Sequence, residues 1–349
     1  MSLAFASSRA TFIPRSSGGR HPPRRDLSPP TTDRRSLLLS GSISLALVRS
    51  PRAATAAPTA PAPSPSPDAS ELSTLRAAAV DAFARRDFPS ALVSIRRVVA
   101  LRPDDPDWRE ALGQCLVDGA PPPASPDAPY AASRARDFDA ATRAYDDAIR
   151  LTDPADVTSV ARRLAGRALA REGAGDWTAA LRDYDAALET ASRGGLPPDP
   201  YILNARGNVL AAGLGDFRGA RDAYLDAAAN FQASKGINTS ANNERRADGY
   251  AFAASNAALA LAQLGDLPAA REELRKVSRR AAGNADARAA LAALYWAEGR
   301  GEDAEREWEF ACDRISVGCA KYRDEEWLAN VRRWPPEMVR LLDDFLRVR

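Results

Sequence analysis

The stretch "GDWTAALRDYDAAL", Gly175 to Leu188, decides the fold of this chain. Ala180, Tyr184 and Ala187 stand four and then three residues apart. That spacing puts a small, a large and a small side chain on one face of an α-helix and scatters them across both faces of a strand. The preceding Gly-Asp supplies a tight turn and an oxygen acceptor for the free N–H groups of the first helical turn. The small residues let a second helix approach closely, while the tyrosine fills the space between helices. One such helix leaves its apolar face in water, so the stretch makes sense only beside copies of itself.

Five further copies are present: "RDFPSALVSIRRVV", "RDFDAATRAYDDAI", "GDFRGARDAYLDAA", "GDLPAAREELRKV" and "GRGEDAEREWEFA". Their turn residues are Arg86, Arg136, Gly215, Gly265 and Gly299, with Gly175 in the quoted stretch. Each is followed at the same distances by Ala91, Ile95 and Val98; Ala141, Tyr145 and Ala148; Ala220, Tyr224 and Ala227; Ala270, Leu274 and Val277; and Ala304, Trp308 and Ala311. Before each turn lies an apolar stretch that predicts a partner helix: "LRAAAVDAFA", "WREALGQCLV", "VARRLAGRALA", "YILNARGNVLAA", "AASNAALALAQL" and "ARAALAALYWA".

A helix pair of this pattern resembles the tetratricopeptide repeat (TPR) family, whose period is about 34 residues. The turns here are 50, 39, 40, 50 and 34 residues apart, and "GAPPPASPDAPYAAS", "SRGGLPPD" and "QASKGINTSANNERR" account for the longer intervals as inserted loop or helix. The resemblance implies an all-α, right-handed α-solenoid of about six TPR-like helix pairs over residues 71–316, closed by a C-terminal helical cap over 317–349. End repeats need such a cap because each unit buries its face against a neighbour. In the tail "NVRRWPPEMVRLLDDFLRVR", Pro335-Pro336 suit the first turn of a helix. Val339, Leu342, Phe345 and Leu346 then form an apolar stripe opposite Arg340, Asp343 and Asp344. Cap and partner-binding helix are both open readings of that element. The Trp-Pro-Pro ending is also similar to the tails of plastid and cyanobacterial repeat proteins of this type.

The first 70 residues have another character. Residues 1–33 are rich in Ser, Arg and Pro, as in a chloroplast transit peptide. Residues 34–56 have the layout of an export signal, with Arg34-Arg35, an apolar core from Leu37 to Val48, and an A-x-A site at Ala54-Thr55-Ala56. The core would be about 18 Å long as a helix, too short for roughly 30 Å of hydrocarbon. The paired arginines resemble a twin-arginine signal. Together the two segments resemble the two-part presequences that direct plant proteins to the thylakoid lumen; the alternative is an uncleaved tail on a protein of the chloroplast stroma or the cytosol. Residues 57–70 are a Pro/Ala/Ser-rich linker, with folding expected from near Glu71.

With 45% apolar and 27% charged residues, the chain has the composition of a soluble globular protein. Its net charge of +2 invites no nucleic-acid reading. Residues 1–56 hold nine of the 48 basic and two of the 46 acidic residues; their loss leaves 39 and 44, a net charge of −5. They also hold His21, the only histidine. A mature chain without them has no Ser-His-Asp or Cys-His arrangement and no histidine metal ligand. No phosphate-binding glycine motif occurs in a strand-turn-helix context. No cofactor or metal is expected, and carboxylate pairs such as Asp146-Asp147, Glu272-Glu273 and Asp343-Asp344 read as solvated helix faces. Cys115 lies in an apolar helical stretch and reads as a core thiol. Cys312 and Cys319 are seven residues apart, about 10.5 Å along an unbroken helix, whereas a disulfide needs Cα atoms within about 7 Å. They could pair only if the helix ends near Ile315 and the chain turns at Gly318.

In the family it resembles, the first helix of each pair lines a concave groove that receives an extended peptide or a helix. The resemblance therefore implies protein partners, with Arg162, Arg163, Asn204, Asn208, Asn256 and Trp296 as candidate groove residues. Asparagine suits such a role because it both donates to and accepts from a peptide backbone. Asn256 also matches an asparagine that ties adjacent repeats together in this family, and Trp296 can equally be interior filling. The lysine-based clamp that some members use on chaperone tails is not matched by the scattered Lys235, Lys276 and Lys321. Fold resemblance and address together predict a non-catalytic, protein-binding scaffold in the thylakoid lumen, assisting assembly, stability or repair of photosynthetic membrane complexes and in peripheral association with them, with no membrane span in the mature chain. The alternatives are a soluble plastid enzyme or its regulatory subunit, and a stromal co-chaperone.

Overall fold

A computed structural model describes residues 67–119, 130–233, 240–314 and 319–348. The described residues form an all-α solenoid. Its helices are α1 (Pro67–Ala84), α2 (Phe88–Leu101), α3 (Pro106–Gly119), α4 (Tyr130–Leu151), α5 (Val157–Ala174), α6 (Trp177–Arg193), α7 (Pro200–Asn208), α8 (Phe217–Ala233), α9 (Ser240–Gln263), α10 (Leu267–Arg280), α11 (Ala285–Ala297), α12 (Gly301–Glu309), α13 (Cys319–Tyr322) and α14 (Pro336–Arg347). Consecutive helices from α1 to α12 pair as six units, and each unit packs on the next. The presequence and most of the linker lie outside the described residues. Helix α1 takes its first turn from the end of the Pro/Ala/Ser stretch, with Pro67 at a position where a missing N–H costs nothing.

All the motif positions lie in the core. Every small, large and small residue from Ala91 to Ala311 is 5% exposed or less. The tyrosines set the contact between neighbouring units. Tyr145 occupies a slot between α3 and α5, and a Cβ at Gly113 would lie 2.7 Å from its ring and one at Gly166 only 2.4 Å away. The hydroxyl of each tyrosine then donates to a first helix: Tyr145 to Gln114 Oε1 at 3.2 Å, Tyr184 to Glu172 Oε2 at 2.9 Å, and Tyr224 to Asn208 Oδ1 at 3.1 Å.

The turns follow the Gly-Asp logic with two departures. Gly175, Gly215, Gly265 and Gly299 all have positive φ, and Asp176, Asp216 and Asp266 accept a backbone N–H of the following first turn. Arg86 takes the same left-handed conformation without being glycine, with φ 61°. At Arg136 the expected turn is absent, because α4 continues from Tyr130 through Arg136-Asp137 to Leu151. Neither residue forces a left-handed bend, and the surrounding "AASRARDFDAA" is rich in strong helix formers. In the last unit Arg300 replaces the aspartate and makes no capping bond.

Beyond the six units, α14 packs against α11 and α9, which are first helices of their pairs. Met338, Leu342 and Phe345 are fully buried and Val339 nearly so, while Leu346 is partly covered. The expected stripe is thus present, widened by Met338 and Leu341.

Candidate functional site

The first helices α3, α5, α7, α9 and α11 carry a row of polar side chains. The candidates Arg162 and Arg163 both face Glu110 of α3: Arg162 donates through Nε at 2.6 Å and Nη2 at 2.8 Å, Arg163 through Nε at 2.9 Å. Arg163 is 2% exposed and also bonds Asp107 and Thr152. The hydrogen bonds of Glu110 hold the Arg162 guanidinium above its usual range, against the opposing effect of burial. Asn204 accepts from Asn256 Nδ2 at 3.2 Å, and Asn208 accepts from Tyr224. Trp296 is partly buried, its ring 5.8 Å from that of Phe345 on α14. All six candidates lie on first helices, and each described bond or ring contact of theirs is made within the chain.

The segment between α13 and α14 makes the most extensive contacts with this row. Trp327–Arg332 form a wide π-helical turn, after which Arg333 adopts φ 57° and reverses the chain. Arg332 is 3% exposed. It donates to Asp286 of α11 through Nε at 2.6 Å and through Nη2, and to Asn256 Oδ1 of α9 at 2.9 Å. Asp286 also accepts from Tyr322 Oη and Trp334 Nε1, each at 3.0 Å. Burial alone would raise the Asp286 pKa; the Arg332 charge and these hydrogen bonds outweigh it and hold it below 3.8. Arg333 reaches Glu172 at the end of α5, 161 residues earlier in the chain, and lies 5.2 Å over the ring of Trp177. Glu337 N donates to Gln263 Oε1 at 2.8 Å, fixing the start of α14 to α9. We refer to Trp327–Pro335 as the strap.

The strap and α14 leave part of the first-helix face uncovered. Between α5 and α7 lies a cleft of about 260 Å³, lined chiefly by Ala165, Leu169, Ile202, Ala205, Tyr201 and Tyr184, with Arg162 and Asp199 at its rim. Its carboxylate at the rim is committed to capping, since Asp199 accepts the Tyr201 N–H at 2.8 Å. Tyr184 links the cleft to the strap: its ring is a wall of the cleft, and its hydroxyl donates to the Glu172 carboxylate that Arg333 holds. Burial raises the Tyr184 pKa well above 10, so the phenol stays protonated and keeps donating. Sequence reasoning singled out Arg162 but not Leu169, Ile202 or Ala205, although their places relative to Gly175 and Gly215 are readable.

Among the described residues no group of His, Cys, Asp and Glu is arranged to hold a metal ion, and no helix is long and apolar enough to cross a membrane. Cys115 is buried, donates weakly to Phe88 O at 3.7 Å, and has its pKa pushed up to about 12 by burial. Cys312, in the π-helical turn that continues α12, is disulfide-bonded. The side chain of Cys319 lies outside the described residues.

A profile of the tetratricopeptide repeat family matches residues 76–119. No curated protein sequence matches the chain. Among solved structures, a chain of the APC/C hetero-tetramer Cut9–Hcn1 is similar with a TM-score of 0.50 at 14% identity, covering 80% of this chain and 42% of that one. BtubC from P. vanneervenii has a TM-score of 0.48 at 17% identity, covering 72% and 91%. YrrB, described as a TPR protein with an unusual peptide-binding site, has a TM-score of 0.41 at 18% identity, covering 64% and 92%.

Proposed function

We propose that this chain is a non-catalytic scaffold of the chloroplast thylakoid lumen that binds protein partners through the face of its first helices and assists assembly, stability or repair of photosynthetic membrane complexes. The observation that carries the binding half of this reading is the apolar cleft between α5 and α7, set on a stack of repeats whose polar groups are otherwise bonded within the chain. The compartment rests on the sequence: a transit-type segment followed by paired arginines, a short apolar core and an A-x-A site. Affinity purification of the tagged chain from isolated thylakoids should recover lumen-exposed subunits of photosynthetic complexes, and the mature chain should begin near Ala57. Consistent recovery of stromal proteins alone, or a mature N-terminus before residue 34, refutes the reading.

A further inference from the structure

We propose that the cleft between α5 and α7 is the seat of one amphipathic helix of a protein partner, bound as α14 is bound within this chain. The inference deepens the scaffold reading and rests on it for the statement that the partner is a protein.

It is carried by an equivalence inside the solenoid. Counted back from the turn glycine, the positions ten and six residues earlier are Ala165 and Leu169 in the third unit, Ser255 and Leu259 in the fifth, and Ala289 and Ala293 in the sixth. In the fifth and sixth units these residues are at most 2% exposed, and Leu259, Ala289 and Ala293 lie in the cluster that contains Met338, Leu342 and Phe345 of α14. In the third unit Ala165 and Leu169 are only partly buried and line the cleft. The same register of the same face is therefore covered by an apolar helix at one end and open in the middle. In the fourth unit the position ten before Gly215 is Ala205 and the one thirteen before is Ile202, both also in the cleft wall.

Two further features select the occupant. The cleft is smaller than the roughly 300–1,000 Å³ of small-molecule sites, which suits inserted side chains better than a whole cofactor. Its wall is also continuous with an interface already made, since Tyr184 shares Glu172 with Arg333 of the strap. Helix α14 supplies the pattern of the partner: apolar residues at i, i+4 and i+7 (Met338, Leu342, Phe345) on a helix whose other face is charged. Such a stripe laid in a groove is a recurrent mode of helix recognition.

The test uses a fluorescein-labelled peptide of residues 335–348 as the probe, titrated into the full chain and read by fluorescence anisotropy. Saturable binding is expected, weakened at least tenfold by Leu169→Glu and by Ile202→Glu in the protein, and by joint Leu342→Asp and Phe345→Asp changes in the peptide. Thermal melts of both protein variants check that the fold is kept; the partial exposure of both sites makes a large loss unexpected. No saturable binding, or equal binding by wild type and both cleft variants, overturns the inference; equal binding would place the peptide on the α14 seat instead. Cleft-dependent binding of the apolar dye 1-anilinonaphthalene-8-sulfonate without peptide binding also overturns it, in favour of a small apolar ligand. Recovery of lumenal clients by a chain that does not bind the peptide would leave the scaffold reading standing and this inference refuted.

Discussion

Removing the carboxylate of Asp286 should loosen the whole C-terminal end of the solenoid. Asp286 is 3% exposed and accepts from four donor atoms: two on Arg332, the Tyr322 hydroxyl and the Trp334 indole. Asp286→Ala leaves the Arg332 guanidinium buried with Asn256 Oδ1 as a neutral acceptor and no opposing carboxylate there. Breaking one side of a buried ion pair costs about 3–5 kcal/mol. At about 2–4 °C per kcal/mol for a domain of this size, the melting temperature should fall by roughly 6–20 °C. Solenoids can unfold unit by unit, so hydrogen exchange should place the loss in α9, α11 and α14 and spare α1 to α4. A double-mutant cycle with Arg332→Met isolates the pair, and a coupling energy of about 2 kcal/mol or more is expected. The pH dependence has a definite sign. The folded Asp286 pKa lies below 3.8, so its contribution is complete above that value and is lost as pH falls through the folded pKa. A melting temperature within 2 °C of wild type for Asp286→Ala, or a coupling energy near zero, would refute the assignment of the pair as the lock of the strap.

Other expectations follow from single contacts. Gly166→Ala places a Cβ 2.4 Å from the Tyr145 ring, and overpacking of this kind should cost about 1–3 kcal/mol in thermal or urea unfolding. Arg333→Ala removes the link to Glu172; because Arg333 is 22% exposed, the melting temperature should change little while strap amides exchange at least several-fold faster. Arg86→Gly relieves a non-glycine residue at φ 61° and should be neutral or stabilising by up to about 1 kcal/mol. With its pKa near 12, Cys115 should resist alkylation at pH 8 in the folded chain, and thiol counting on the oxidised chain should find one free thiol, with Cys312 and Cys319 paired. A count of three free thiols would overturn that pairing.

The helix pairs were readable because their information repeats. A small, large and small spacing that recurs at Ala91, Ile95 and Val98 and again at Ala304, Trp308 and Ala311 reports a helix face wherever it occurs. The turn at Arg136 was misread for the converse reason: the spacing of the helix face is kept, but no glycine enforces a break, and α4 runs through it. The stripe of α14 was visible as an amphipathic helix, whereas its seat on α11 and α9 was not, since an apolar face does not name its partner. The strap was the least legible part. Arg332 and Asp286 are 46 residues apart, and Arg333 and Glu172 are 161 apart, with no periodicity that couples them. Arg162 and Arg163 had the right residue types for a groove, but the sequence did not show that Glu110, on the preceding unit, faces both.

The strap changes what the repeat architecture implies for binding. In a simple solenoid each unit touches only its neighbours, so the separation of distant units is set by many small contacts and yields easily. Here one short segment binds α5 through Arg333, α9 through Arg332 and the start of α14, and α11 through Arg332 and Trp334. The third, fifth and sixth units are thereby tied through a single nine-residue stretch, and the open cleft lies on the span between them. A groove held in this way loses less conformational freedom when a partner enters, and lower ordering cost is a direct route to affinity. Coupling also runs the other way. Glu172 divides its two oxygens between Arg333 and the Tyr184 that walls the cleft, so any displacement of Tyr184 by an entering side chain bears on the strap through one carboxylate. The end of the chain is therefore both the lid of the sixth unit and a fixed edge of the cleft in the third and fourth.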